Sequence, residues 1–173
     1  NCYNTGEISG DSYVGGLVGY NYYGDISNSH SESSVKGTSF VGVLVGENLG
    51  KVTNSFSIGN VEGDNKIGGL IGSNYDTVMD CYSRVSVLGE NEVGGLVGTN
   101  NTRGIISRNY SSGSVSGTSN VGSLVGHNYY GTVSNSYSTS SVEGIDYIGG
   151  LIGKNYRGTV SNCYCTGLTM GTS

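Results

Sequence analysis

Val14-Gly15-Gly16-Leu17-Val18-Gly19, followed by Tyr20 and Asn21, decides how the rest of the chain is read. The stretch returns with small changes, so that its anchors lie at residues 14–21, 41–48, 67–74, 93–100, 121–128 and 148–155. Successive copies start 27, 26, 26, 28 and 27 residues apart. A short, steady period kept along a chain marks a solenoid of stacked units, each contacting mainly its two neighbours.

Two other elements keep the same register. One is a Ser-aromatic-Ser unit, as in Ser55-Phe56-Ser57 and Ser136-Tyr137-Ser138; the other has the form Gly-x-Val-x-Gly, as in Gly113 to Gly117. The aromatic position always stands 11 residues before the next motif, and the motif's first residue always stands seven before its Asn. Only the distance from Asn to aromatic varies, at nine, eight, eight, ten, nine and nine. Strands must hold register while a solvent-facing loop can change length, so the segment after the Asn is the outward turn.

Short period-2 apolar runs cut by Gly and Asn turns exclude helix and predict strands. The chain reads as all-β: a parallel β-helix, or β-solenoid, with about three short strands per coil of 26–28 residues and roughly six and a half coils. Residues 1–173 form a single segment, which reads as part of a longer chain, since both ends fall partway through a repeat. At roughly 4.8 Å per layer the rod is about 30 Å tall.

Parallel stacking places like residues on like. Leu17, Leu44, Leu70, Leu96, Leu124 and Leu151 form an inner column, and Tyr3, His30, Phe56, Tyr82, Tyr110, Tyr137 and Tyr164 an aromatic one. Asn21, Asn48, Asn74, Asn100, Asn128 and Asn155 are expected to turn a corner through an amide ladder. Leu and the following Val or Ile are adjacent in every copy, which strict strand alternation cannot bury together. Either the Gly pair bends the strand, or an apolar row faces outward and packs laterally.

Composition limits the partners. The sequence holds 32 Gly, 14 Tyr and no Pro or Trp, with a net charge of −5 and no basic stripe, which disfavours nucleic acid. No apolar run is long enough for direct membrane insertion by a helix. Cys2, Cys81, Cys163 and Cys165 are spaced for neither a zinc site nor a disulfide within the segment; pairing with another chain stays open. His30 occupies the aromatic column and reads as a packed, hydrogen-bonded ring. His127 stands before the ladder Asn, where solvent exposure is expected. The acidic residues read as solvated charges, no cofactor or metal set is present, and no triad spacing accompanies the periodic serines. The chain reads as non-enzymatic.

The turn tyrosines Tyr22, Tyr23, Tyr75, Tyr129, Tyr130 and Tyr156 are the candidate contacts for a protein or glycan surface, with Tyr13, Phe40 and Tyr147 crowding the preceding corner. Of two sequons, Asn100-Asn101-Thr102 and Asn109-Tyr110-Ser111, the second is the better acceptor, because Asn100 belongs to the ladder.

The repeat resembles the GLUG motif family through Gly16-Leu17-Val18-Gly19, Gly69-Leu70-Ile71-Gly72, Gly95-Leu96-Val97-Gly98 and Gly150-Leu151-Ile152-Gly153; Val43 and Ser123 replace the first Gly in the other copies. The family is similar to segments of large surface proteins, filamentous adhesins and immunoglobulin A peptidases among them. The resemblance implies a parallel β-helix, at the cell surface or secreted, and transfers no catalytic residues. The functional expectation is an extracellular structural or adhesive rod. The alternatives are a self-assembling filament subunit, docking end to end or laterally, and the non-catalytic stalk of a secreted peptidase or glycan-active enzyme. Ice binding is disfavoured because the threonines form no regular ladder.

Overall fold

A computed structural model of the chain describes residues 1–171. It is an all-β solenoid in which every strand pairs in parallel with its counterpart about 27 residues away. Each coil contributes strands to four sheets, not three; in the third coil they are Asn65–Gly68, Ile71–Asn74, Thr77–Met79 and Tyr82–Leu88. The extra strand comes from the motif itself, which breaks at Gly69-Leu70 into two limbs belonging to different sheets. The long-strand sheet has seven layers along the rod and the other three sheets have six.

That break resolves the adjacent apolar pair. Leu70 and Ile71 are both fully buried, as are Leu44 and Val45, Leu96 and Val97, and Leu124 and Val125. The bend turns two successive N–H groups along the rod axis onto one carbonyl. Leu70 N and Ile71 N both donate to Leu96 O (2.8 and 3.0 Å), and Leu44 N and Val45 N both donate to Leu70 O (3.0 Å each). Backbone pairing therefore survives where side-chain alternation fails. There is no outward apolar row from this pair.

The motif glycines exist because the limbs pack backbone on backbone. A Cβ at Gly68 would strike Ile71 O and Gly98 N, and one at Gly72 would strike the backbone of Phe40 and Val41. The glycine before Leu faces inward. A Cβ at Gly69 would meet Ser83 Oγ and Gly95 O, and the substituents Val43 and Ser123 in that slot are fully buried. Opposite it run Ser31, Ser57, Ser83, Ser111 and Ser138, all fully buried. This pinch of Ser against Gly separates two apolar clusters. One is built on the Leu column with Val45, Val52 and Val78, the other on Val41, Val61, Ile67 and Val93.

Two polar ladders close corners. Asn21 Nδ2 donates to Asn48 Oδ1 (2.7 Å), and the chain of amides continues through Asn74, Asn100 and Asn128 to Asn155 at 2.8–2.9 Å. Each amide also donates to a carbonyl of its own turn, such as Gly50 O (2.6 Å) from Asn48 and Asp76 O (2.7 Å) from Asn74. A second corner is held before the aromatic column. There Ser55 Oγ donates to Thr53 O (2.8 Å) and accepts Ser29 N (3.2 Å), and Asn109 plays the equivalent part for Cys81 N (2.8 Å). Non-glycine residues at two corners adopt left-handed backbone. Tyr13, Phe40, Lys66, Glu92, Asn120 and Tyr147 (φ 52 to 59°) form one column, and Asn28, Asn54, Asp80, Arg108, Asn135 and Asn162 (φ 48 to 57°) the other. That conformation costs roughly 1–2 kcal/mol for most side chains and less for Asn and Asp, which dominate the second column.

Seven rings from Tyr3 to Tyr164 stack on the outer face of the long-strand sheet, with centroids 4.6–5.5 Å apart and planes within 10°. His30 is held there by stacking between Tyr3 and Phe56.

The polar interior makes two opposite predictions for urea unfolding. Asn74→Ala removes one rung and leaves one buried N–H of Asn48 and the buried Oδ1 of Asn100 without their partner, so it is expected to cost about 2–4 kcal/mol. Ser83 Oγ is buried and has no hydrogen-bond partner. Ser83→Ala is therefore expected to stabilise by up to about 1 kcal/mol, because the apolar replacement is no larger than the pinch allows.

Candidate functional site: the outer turns and the adjoining corner

The Asn ladder holds the base of every outer turn, so the turns project at one-layer intervals from a fixed rail. Between ladder Asn and next strand lie three residues in the first coil (Tyr22 to Gly24), two in the second (Leu49, Gly50), two in the third (Tyr75, Asp76) and four in the fourth (Asn101 to Gly104). Tyr23, Arg103, Tyr130 and Arg157 adopt left-handed backbone just before a turn glycine.

The six candidate tyrosines do not form one row. Tyr22 and Tyr23 meet edge to face at 4.5 Å, and Tyr22 stacks on Tyr20, which in turn meets Tyr13 at 5.6 Å. At the other end Tyr129 stacks on Tyr156 at 5.5 Å, Tyr130 packs edge-on to both, and the Arg157 guanidinium lies over Tyr130 and Tyr156. Tyr75 sits apart, in a groove of about 560 Å³ that it shares with Tyr23, Leu49, Asp76, Thr102 and Arg103.

The corner beside the turns, where Tyr13, Phe40 and Tyr147 were expected, also carries lysines that the sequence did not point to. Tyr13 stacks on Phe40 at 4.8 Å, Lys66 Nζ lies 4.7 Å from the Phe40 ring centre, and Lys154 Nζ lies 5.2 Å from that of Tyr147. The left-handed residues of this corner, Tyr13, Lys66, Glu92 and Tyr147 among them, lie against the strand position two after the motif's second limb begins. Glu47 is consequently only 8% exposed. His127, expected in solvent, has a side chain only 13% exposed, with Nδ1 3.0 Å from Glu92 Oε1. Thr99 Oγ1 donates to the other carboxylate oxygen. The preference for left-handed backbone at the corner is not written in any one residue type, so this covering was not visible from the repeat.

The two carboxylates are pushed in opposite directions. Burial raises Glu47 above the ordinary carboxylate range, against the lowering effect of the Ser73 hydroxyl and Lys66. Burial also acts to raise Glu92, but the hydrogen bonds from His127 and Thr99 outweigh it and hold the group below that range.

Neither sequon is accessible. Asn100 is a fully buried rung, and Asn109, the expected acceptor, is 1% exposed. Its amide donates to Val78 O (2.9 Å) and Ser107 O (3.0 Å). An asparagine in the Ser column becomes a corner staple, which accounts for the error. All four cysteines are free: Cys2 and Cys165 are exposed and Cys163 half-buried, while burial pushes the Cys81 thiol up to about 11. Among the described residues no group of three His, Cys, Asp or Glu is placed to hold a metal ion, and no helix is long and apolar enough to cross a membrane.

The GLUG motif matches at residues 10–36, 117–143 and 146–169. The chain carries GLUG repeats. Each match covers a segment of one coil length or slightly less, and the unmatched coils of the solenoid keep the same ladders and register. No curated protein and no solved structure matches the chain.

The opposed carboxylates give a pH test. Glu47, raised in the folded state, destabilises when ionised. Glu47→Gln is expected to raise stability at pH 7 by on the order of 1 kcal/mol, a gain that vanishes as pH falls through its folded-state value towards 4.5. Glu92, lowered in the folded state, contributes above its ordinary value of 4.5 and loses that contribution as pH falls through its depressed one. Glu92→Gln is expected to cost on the order of 1 kcal/mol at pH 7 and nothing at strongly acid pH, read from thermal unfolding across the range.

Proposed function

We propose that this solenoid is a rigid, non-catalytic extracellular segment whose outer turns bind glycan or protein surfaces. A structural repeat segment is what the GLUG repeats and the stacked sheets make of this chain. The adhesive part of the reading rests on how its aromatic rings are presented. Rings of the seven-membered stack cover one another's faces and offer mainly edges to solvent. The turn tyrosines are different: Tyr23 is 72% exposed and Tyr22 65%, and the Tyr129, Tyr130 and Tyr156 group packs largely edge-on.

Exposed rings on a rail of amide hydrogen bonds lose little freedom on binding, which is the condition under which aromatic contacts raise affinity most. The extracellular placement is supported by the resemblance of the repeat to segments of surface proteins.

The test is a glycan array and a cell-surface binding assay with the intact chain and with a variant carrying Ser at Tyr22, Tyr23, Tyr75, Tyr129, Tyr130 and Tyr156. Binding by the parent and a loss of at least about tenfold in the variant, at unchanged circular dichroism, is the expected result. Equal binding by both, or none by the parent, rules the adhesive reading out.

A further inference from the structure

The variable turn lengths build a feature that no single coil contains. The second and third coils have the two shortest outer turns, and they lie between the longer turns of the first and fourth. The result is a notch across the rail, bounded three layers apart, about 14 Å. Its floor is Leu49, Tyr75 and Asp76, one wall is Tyr23, and the other is Thr102 and Arg103. At about 560 Å³ it falls within the range of small-ligand sites, roughly 300–1,000 Å³.

The chemistry of the lining is mixed and charge-balanced. Tyr23 and Tyr75 supply ring surface, and Leu49 an apolar patch between them. Asp76 has one carboxylate oxygen engaged by the Thr77 hydroxyl (3.0 Å). The Arg103 guanidinium takes part in none of the ion pairs among the described residues, although Asp76 shares the notch. An acceptor and a donor held apart, with aromatic surface between them, suit a ligand that has a flat C–H face and a rim of hydroxyl groups. One acid and one base leave no net charge for a charged ligand to complement.

We propose that this notch binds a neutral hexopyranose unit of a glycan chain, with the sugar's C–H face on Tyr75 and its hydroxyls shared between Asp76 and Arg103. The proposal deepens the adhesive reading and rests on it: it assigns the specific contact to the notch and leaves the Tyr129, Tyr130 and Tyr156 group outside it.

The test uses the chain with labelled Leu methyl groups, titrated with cellohexaose, mannohexaose and, as an acidic arm, hexagalacturonate. At least one neutral hexasaccharide is expected to shift the Leu49 methyl signals. Tyr75→Ser is expected to weaken that binding at least about tenfold, the loss of one aromatic contact. A second variant fills the notch without removing any lining residue, by inserting Gly-Ser between Leu49 and Gly50. The fourth coil already carries two more residues at this place, so the fold accommodates the insertion, and the same loss is expected. The triple variant Tyr129→Ser, Tyr130→Ser, Tyr156→Ser separates the notch from the other turn tyrosines, and Glu143→Gln, exposed on the long-strand sheet away from the turns, is expected to bind as the parent does.

Full binding by the Tyr75 and insertion variants overturns the notch, as does a preference for hexagalacturonate. If binding is lost only in the triple variant, the notch fails and the adhesive reading stands. If no hexasaccharide shifts any methyl signal but the array shows protein or glycan binding through the turn tyrosines, the same conclusion holds. Absence of binding in both experiments removes both.

Discussion

The interaction on which everything else depends is the axial backbone hydrogen bond, which fixes successive coils one strand spacing apart. At about 4.8 Å, nothing larger than a matching side chain fits between one residue and its counterpart in the next layer. Identical groups must therefore find a way to bond to themselves. Asn does so because its amide carries both donor and acceptor, and planar rings do so by stacking. The same constraint explains the paired N–H groups on the carbonyl of each Leu: where the motif bends, the axial bonds are kept and side-chain alternation gives way.

The solenoid, its period and its columns were legible because the repeat is long and its register rigid. The bend at the Gly pair of Val-Gly-Gly-Leu-Val-Gly was one of the two alternatives the sequence left open, and the additional strand it creates was not counted. A Gly pair marks permissive backbone but does not say which way the chain turns, and only the contact of Gly68 with the next coil's Gly98 shows that two limbs are packed together. Asn109 and His127 were harder cases. Each occupies a column whose other members look like surface residues, and each is covered by a neighbour in the adjoining layer. Burial at a corner depends on the residues above and below, so a single repeat read alone cannot predict it.

The candidate tyrosines were found from turn position, but their grouping was not. Tyr20 joins the first cluster from a strand, and Arg157 completes the last one. Arg103 stood out in no motif, because its significance comes from turn length and from having no ion-pair partner among the described residues. Interior and surface thus follow different rules. The interior repeats because it must, with two apolar clusters and a serine pinch running from Ser31 to Ser138. The surface differs from coil to coil because nothing in the stacking forbids it.

The variable turn therefore makes the shape of the outer face a property of order. Any coil of this rod is interchangeable with another as far as the ladders are concerned, and removal of one whole repeat would leave every rung joined. Such a deletion between the first and fourth coils would nonetheless narrow the notch by a layer, and a duplication there would widen it. A lineage that gains or loses repeats can reshape the outer face of the rod while every ladder stays intact, and the span of the notch is stored in the sequence of long and short turns.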